Sequence, residues 1–393
     1  MKLSSAFSEW PRSFILLAVA VAGVGFFFGV QLTLYNNYAV ERLGIEAHEL
    51  GYVEALREVP GFLNILFIAL MIRLVPSFVA AGALAMMGLG LAAYLWVDSI
   101  MSLAMFSLVW SVGFHCWIPL EQAMGLTLSP EGNKGKWLGR LRSVQSAAWL
   151  VSIGVCILVL EYIGYEGMFA LAGLVTIVGG LALLFAERKR PDKTRSRFVF
   201  RRKYGLYYAL NFLQGCRKQM FITFAIFALV KVHGMPVETT MILVLVNQVL
   251  ITVSAPWLGR LVDRYGERVM LTVSYVGLAF VFAGYALIDH RPTLYVLYCI
   301  DNLIFFGSIA LNTYIYRICD RADLQPTLSM GITMNHLAAV AAPLAGGIVW
   351  YHFGHEIIFV SGSILAVISL VVTQWIEPGS EPPVVLATPV KAT

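Results

Sequence analysis

ERKRPDKTRSRFVFRRK (Glu187–Lys203) sets nine Lys and Arg residues against two acids within one short run. Outward from it in both directions the chain turns apolar, in blocks of roughly 20 residues parted by short polar stretches. A bilayer core about 30 Å thick needs about 20 apolar helical residues to cross it. Six blocks precede the basic run, at 14–35, 48–71, 77–97, 100–127, 137–160 and 166–186. Six follow it, at 204–230, 239–258, 269–288, 293–316, 326–350 and 356–376. The expected fold class is therefore an all-α integral membrane protein with 12 transmembrane helices in two six-helix bundles. The expected domains are 1–186 and 204–376, a cytoplasmic linker at 187–203, and a proline-rich disordered tail at 377–393.

Composition agrees with that solvent. Of 393 residues, 59% are hydrophobic and 13% charged, with a mean hydropathy of +0.76. A soluble domain is about 45–50% apolar and about a quarter charged. The first block follows Lys2 and Arg12 as a signal peptide would, but it is too long for one and shows no small-residue cleavage site, so it is expected to be retained as a span. Five cysteines (Cys116, Cys156, Cys216, Cys299, Cys319) lie in or at the ends of apolar blocks without a C-x-x-C pair, which argues against a zinc or redox motif.

Basic residues orient the chain. With the N-terminus inside, Arg42, Lys231 and Arg291 fall on the far side and Arg57, Arg142, Arg217 and Lys218 inside spans; the remaining 21 of 28 are cytoplasmic. Both termini are then cytoplasmic, and a bacterial inner membrane suits the compact loops. The Glu187–Lys203 run reads as an orienting linker in contact with anionic membrane lipid rather than as a nucleic-acid patch.

The two halves echo one another. Gly164-x-Glu166-x-x-Phe169 recurs as Gly354-x-Glu356-x-x-Phe359, 190 residues on, each between the fifth and sixth block of its half. Gly44 and Gly234 share that offset, each between the first and second block. Weak internal symmetry of this kind marks repeat-built transporters, with solute held near the midplane.

The stretch after the eighth block reads GRLVDRYGER (Gly259–Arg268). It resembles the loop signature of the major facilitator superfamily, with Gly259, Asp263, Arg264, Gly266 and Arg268 at matching places. Glycine permits a tight reversal there, and Asp263 is expected near the N-terminus of the ninth span, where the helix dipole favours a carboxylate. The resemblance implies a cytoplasmic gate in which Asp263, Arg264 and Arg268 latch the outward-facing state. It also implies that the first, fourth, seventh and tenth helices line a central cavity. The corresponding turn after the second block, Ile72–Pro76, lacks the glycine and the aspartate.

Charges inside spans carry the functional signal, because each costs on the order of 2.5–3.5 kcal/mol at the bilayer centre. In span seven, Asn211, Gln214 and Lys218 share a helical face, with Arg217 beside them. Two readings stand for Arg217 and Lys218: they bind an anionic solute, or they belong to a structural ion-pair network with Asp301. In span ten, Asp301, Phe305, Ser308 and Asn312 are spaced along one face, and Asp301 could load and release a proton or serve only as a counter-charge. Span two spaces Glu54, Arg57 and Glu58 so that Arg57 pairs with Glu54, leaving Glu58 for another partner or a proton. Ser107, Ser111 and His115 line one face of span four; His115 and His336 could relay protons or be satisfied core groups. Arg142 is near enough to the cytoplasmic end to snorkel. In span one, Gln31 and Tyr35 share a face, and Gly25 and Gly29 permit close packing.

No P-loop, Gly-x-Ser-x-Gly or His-Glu-x-x-His is present. A gradient-driven carrier is thus expected, not an enzyme and without cofactor or metal. It would move a small anionic or zwitterionic solute by alternating access, coupled to protons, as a monomer. Solute-binding candidates are Arg217, Lys218, Gln214, His115, Gln31, Tyr35 and Asn312; proton-coupling candidates are Asp301, Glu58 and Glu54. A cation or multidrug exporter recognising its solutes through Glu54, Glu58 and Asp301 is the first alternative, and a non-transporting receptor or scaffold on the same fold the second.

Overall fold

The computed structural model describes residues 10–63, 74–129, 134–187, 200–304, 307–320 and 323–377. Among them the regular structure is helical and no strand occurs. The helices are α1 (Arg12–Leu43), α2 (Ala47–Phe62), α3 (Pro76–Ala92), α4 (Ile100–Leu128), α5 (Lys134–Ala182), α6 (Gly205–Lys231), α7 (Val237–Tyr265), α8 (Glu267–Leu287), α9 (Arg291–Ile304), α10 (Gly307–Ile318), α11 (Leu324–Phe353) and α12 (His355–Thr373). Eight helical stretches among the described residues are long and apolar enough to cross a membrane. The second part of the expected span two, the turn at Ile72 and Arg73, most of the linker and nearly all of the tail lie outside the described residues.

The ends of these helices follow from local chemistry. Pro76 opens α3 at a position that needs no amide hydrogen. Ser99 caps α4, accepting from the Ser102 amide while the Ser102 hydroxyl accepts from the Ser99 amide. Gly44 ends α1 in the left-handed region, with its own amide on Val40 O and that of Ile45 on Ala39 O.

The five described glycines with positive φ include both members of both repeated pairs. Gly44 and Gly234 stand at φ 63° and 60°, and Gly164 and Gly354 at φ 68° and 89°. Gly164 has ψ −179° and Gly354 ψ 165°, a region open essentially to glycine alone. Gly164 thereby breaks the helical path within α5, which accounts for both the fifth and sixth expected spans, and Gly354 reverses the chain between α11 and α12.

The chain divides into two compact units. The first comprises Met1–Thr194 with Val230–Leu245, so the end of α6 and the start of α7 pack with the first half although the sequence repeat assigns them to the second. In this unit α1 lies chiefly against α5, α3 against α4 and α5, and α2 against α4. Gly25 and Gly29 let the α1 backbone approach α5: a Cβ at Gly29 would sit 2.8 Å from Trp149 O and one at Gly25 would strike Gln145 O. Asn37 donates to Met235 O at 3.1 Å and accepts from Thr240 at 2.8 Å, while Lys231 pairs with Glu46 at 2.7 Å.

The second unit comprises Arg195–Leu229 with Val246–Thr393, and in it α8 packs against α9, α10 and α12. Ahead of α6 the chain is fastened within this unit, Arg201 to Asp323 at 2.6 Å and Lys203 to Asp320. The Lys203 ammonium holds the Asp320 carboxyl below its ordinary value.

Adding a Cβ at Gly164 or Gly354 should cost about 2–3 kcal/mol, against about 1–2 kcal/mol at the left-handed Gly44. Thermal unfolding of the three Gly→Ala variants in detergent checks this ranking. Equal losses would contradict it.

Candidate functional site

Each unit holds its own buried charge cluster. In the second, α6 carries Gln214, Arg217 and Lys218 through the middle of an apolar helix. Arg217 is turned fully inward, and its Nη1 donates to Asp301 Oδ1 of α9 at 3.2 Å. The side chains of the pair are 1% and 6% exposed. Phe282 lies under the guanidinium, 6.0 Å from ring centroid to Cζ. Desolvation makes such a pair costly to assemble and more costly to break, because removing one partner strands a charge in a dry site. The structure thus brings Arg217 and Asp301 together. Lys218 is half-buried beside them, and Gln214 is buried with its Oε1 lacking a hydrogen-bond partner among the described residues.

Of the expected face of span ten, the structure describes the side chains of Asp301 and Asn312. The segment is described as α9 and α10, with residues 305 and 306 outside the described set, and Asn312 on α10 is exposed whereas Asp301 on α9 is buried.

In the first unit, α2 presents Glu54, Arg57 and Glu58. Arg57 Nη1 donates to Glu54 Oε1 at 2.7 Å, its Nη2 also meets Glu54, and Glu58 lies 3.8 Å from the same nitrogen. The guanidinium rests over Trp110, 5.4 Å from the ring centroid. Helix α4 ties to this cluster from below: the Ser111 hydroxyl donates to Arg57 O, and His115 Nδ1 stands 3.1 Å from Ser111 Oγ and 2.9 Å from Ser111 O. Trp110 Nε1 donates to Tyr94 OH at 3.2 Å, and Tyr94 OH shares a 2.6 Å bond with Ser107 Oγ. The sequence marked Ser107, Ser111 and His115 but not Tyr94 or Trp110, since nothing sets one Trp or Tyr apart among the 9 and 17 of this chain.

Gln31 and Tyr35 on α1 are buried, at 0% and 4% exposure. Both amide atoms of Gln31 and the Tyr35 hydroxyl lack a hydrogen-bond partner among the described residues. His336 is half-buried and Arg142 exposed, with Arg142 Nη1 on Gln145 Oε1 at 2.8 Å.

The gate motif needs one correction. Helix α7 continues through Gly259 to Tyr265, and the reversal comes only at Gly266, φ 76°. Asp263 thus falls in the last turn of α7, the end where a helix dipole disfavours a carboxylate, and Glu267 takes the first turn of α8 instead. Glu267 pairs with Arg317 at 3.4 Å; Arg268 donates to Gln374 Oε1 at 3.1 and 3.2 Å, and Arg264 is exposed over the Tyr265 ring. The burial of Gly259 and the side chain of Asp263 lie outside the described set.

Comparison with known proteins fits this arrangement of apolar helices. The family model of the Major Facilitator Superfamily matches residues 15–324 and again 210–392. The chain belongs to the Major Facilitator Superfamily. It is accordingly a multi-pass membrane protein of a transporter family. An uncharacterised MFS-type transporter of Methanocaldococcus jannaschii is 24% identical over 252 residues, 60% of this chain; the match spans 62% of that relative. Solved structures share the superfamily fold. A variant of the nucleoside transporter NupG superposes with TM-score 0.80 at 13% identity, covering 93% of this chain and 100% of that one. A bacterial homolog of the human lysosomal transporter Spinster, inward-facing and occupied, gives 0.74 at 13% identity over 92% and 96%.

Removing one member of the buried pair, by Arg217→Met or Asp301→Leu, should lower stability by about 3–5 kcal/mol, while the double variant recovers most of the loss. A double-mutant cycle of thermal unfolding in detergent reads this. Additive losses would mean that the two side chains do not act as a unit.

Proposed function

We propose that this transporter moves a small anionic or zwitterionic solute by alternating access, coupled to protons through Asp301. The proposal includes twelve spans in bundles at 1–186 and 204–376, joined by a cytoplasmic linker at 187–203, with both termini at the cytoplasmic face of a cell membrane. The observation that supports it is the buried ion pair of Arg217 and Asp301.

Charge bookkeeping supplies the coupling. While Asp301 is ionised, Arg217 is neutralised from within. A proton on Asp301 removes that counter-charge and raises the positive potential at Arg217, which an anionic group on the solute relieves. Proton and anion therefore stabilise each other's binding, and by linkage each raises the affinity for the other equally. Release of the proton restores the internal pair and expels the anion. In this reading Lys218 adds positive potential beside the pair, Gln214 and Asn312 contact the solute's polar atoms, and in the first unit His115 is a further polar contact and Glu54 and Glu58 further proton sites. The gate is Gly259, Asp263, Arg264, Gly266 and Arg268.

A second reading rests on α2, where the carboxylates of Glu54 and Glu58 both meet the Arg57 guanidinium. That cluster suits a cationic solute that competes with a proton at Glu58.

In proteoliposomes, Asp301→Asn should keep solute exchange down to equilibrium, since asparagine imitates the protonated acid, but lose accumulation driven by a pH gradient. Uptake of labelled organic anions and amino acids measures both. A variant that still concentrates solute on a pH gradient would remove Asp301 from the coupling step, and competition by lipophilic cations alone would favour the second reading.

A further inference from the structure

The most exceptional polar groups in the first unit are neutral. Gln31 is completely buried, yet neither end of its amide is hydrogen-bonded among the described residues. One turn further along α1 the Tyr35 hydroxyl is in the same condition, within the electrostatic reach of Glu54 and Arg57. Buried polar groups are paired as a rule, and those left over call for an explanation. Three such atoms on one helix face, in a family that carries solutes, point to a ligand.

The chemistry of the amide restricts which ligand. Nε2 only donates and Oε1 only accepts. A carboxylate or phosphate could satisfy Nε2 but would leave Oε1 bare, and an ammonium would do the reverse. Both ends are satisfied together by a group that sets a donor beside an acceptor in one plane, as a ring N–H next to C=O does, or a ring nitrogen next to C–NH2.

The surroundings favour a ring. Phe28, Gln31 and Tyr35 are spaced to share a face of α1. The Phe28 ring lies 4.7 Å from that of Phe114 and stacks on Trp149 at 6.3 Å and 23°. These three aromatic side chains are half-buried, so they retain open surface, and Trp149 Nε1 has no hydrogen-bond partner among the described residues. Flat apolar walls beside an unpaired donor–acceptor edge match a planar heterocycle.

We infer that Gln31 is the recognition edge for a planar nitrogen heterocycle bearing adjacent donor and acceptor atoms, with Phe28, Phe114 and Trp149 as its stacking walls and Tyr35 OH as a further polar contact. The inference rests on the transporter reading, since alternating access is what opens this closed face to solute, but it is independent of the role given to Asp301.

The test is binding to the purified full chain in detergent, by thermal shift and calorimetry, with uridine and adenosine as probes. Each is compared with a form whose edge is blocked by methyl groups, N3-methyluridine and N6,N6-dimethyladenosine. At least one parent should bind, and its blocked form should bind on the order of 10-fold more weakly, the usual effect of stranding a buried polar group. Gln31→Leu should abolish that discrimination. Should the leucine variant fail to fold, the methyl comparison on the wild type decides alone. Absence of binding by both parents, or equal binding of parent and blocked forms, overturns the inference. Discrimination at Gln31 without flux in proteoliposomes would keep the edge and remove the carrier reading instead.

Discussion

A guanidinium inside an apolar helical protein must find a counter-charge, and the placement of Arg217 depends on that constraint. Its side chain is shut off from solvent in the middle of α6 and met by Asp301 of α9. An ionised group moved into low dielectric without a partner is so unfavourable that it neutralises or drags in a counter-ion instead. The same constraint organises α2, where Arg57 is held between Glu54, Glu58 and the face of Trp110. In the proposed mechanism stability and function are joined in these residues, since an exchangeable counter-charge would give a proton or a solute a way to act on the fold.

Much of the architecture was legible because it rests on one-dimensional constraints. Span length is set by bilayer thickness, so apolar blocks located the helices. The repeat at an offset of 190 residues was legible because its glycines answer a backbone requirement: Gly164 and Gly354 both adopt positive φ with extended ψ, where a side chain would be strained. The pairing of Arg57 with Glu54 was legible because three residues along a helix bring two side chains together.

What was not legible depends on contacts between distant segments or on where a helix stops. Helix α7 outlasts its hydrophobic block, so Asp263 sits at a helix end and not at a helix start. The ties from Tyr94 and Trp110 to Ser107 and Arg57, and the association of Val230–Leu245 with the first unit, join segments whose sequences show no mutual mark. For Arg217, composition demanded a counter-charge but left Asp301 and an external anion as rivals; only the 3.2 Å contact makes Asp301 the partner.

The measurement that bears most directly on this account is proton exchange on solute binding, followed with an indicator dye in weakly buffered detergent solution. The organic anion that stabilises the protein most in a thermal screen would serve as ligand. The account predicts uptake of about one proton per anion bound, above the pH at which Asp301 is already protonated, and loss of that uptake in Asp301→Asn with binding retained. Anion binding with no proton taken up by the wild type at any pH would contradict it.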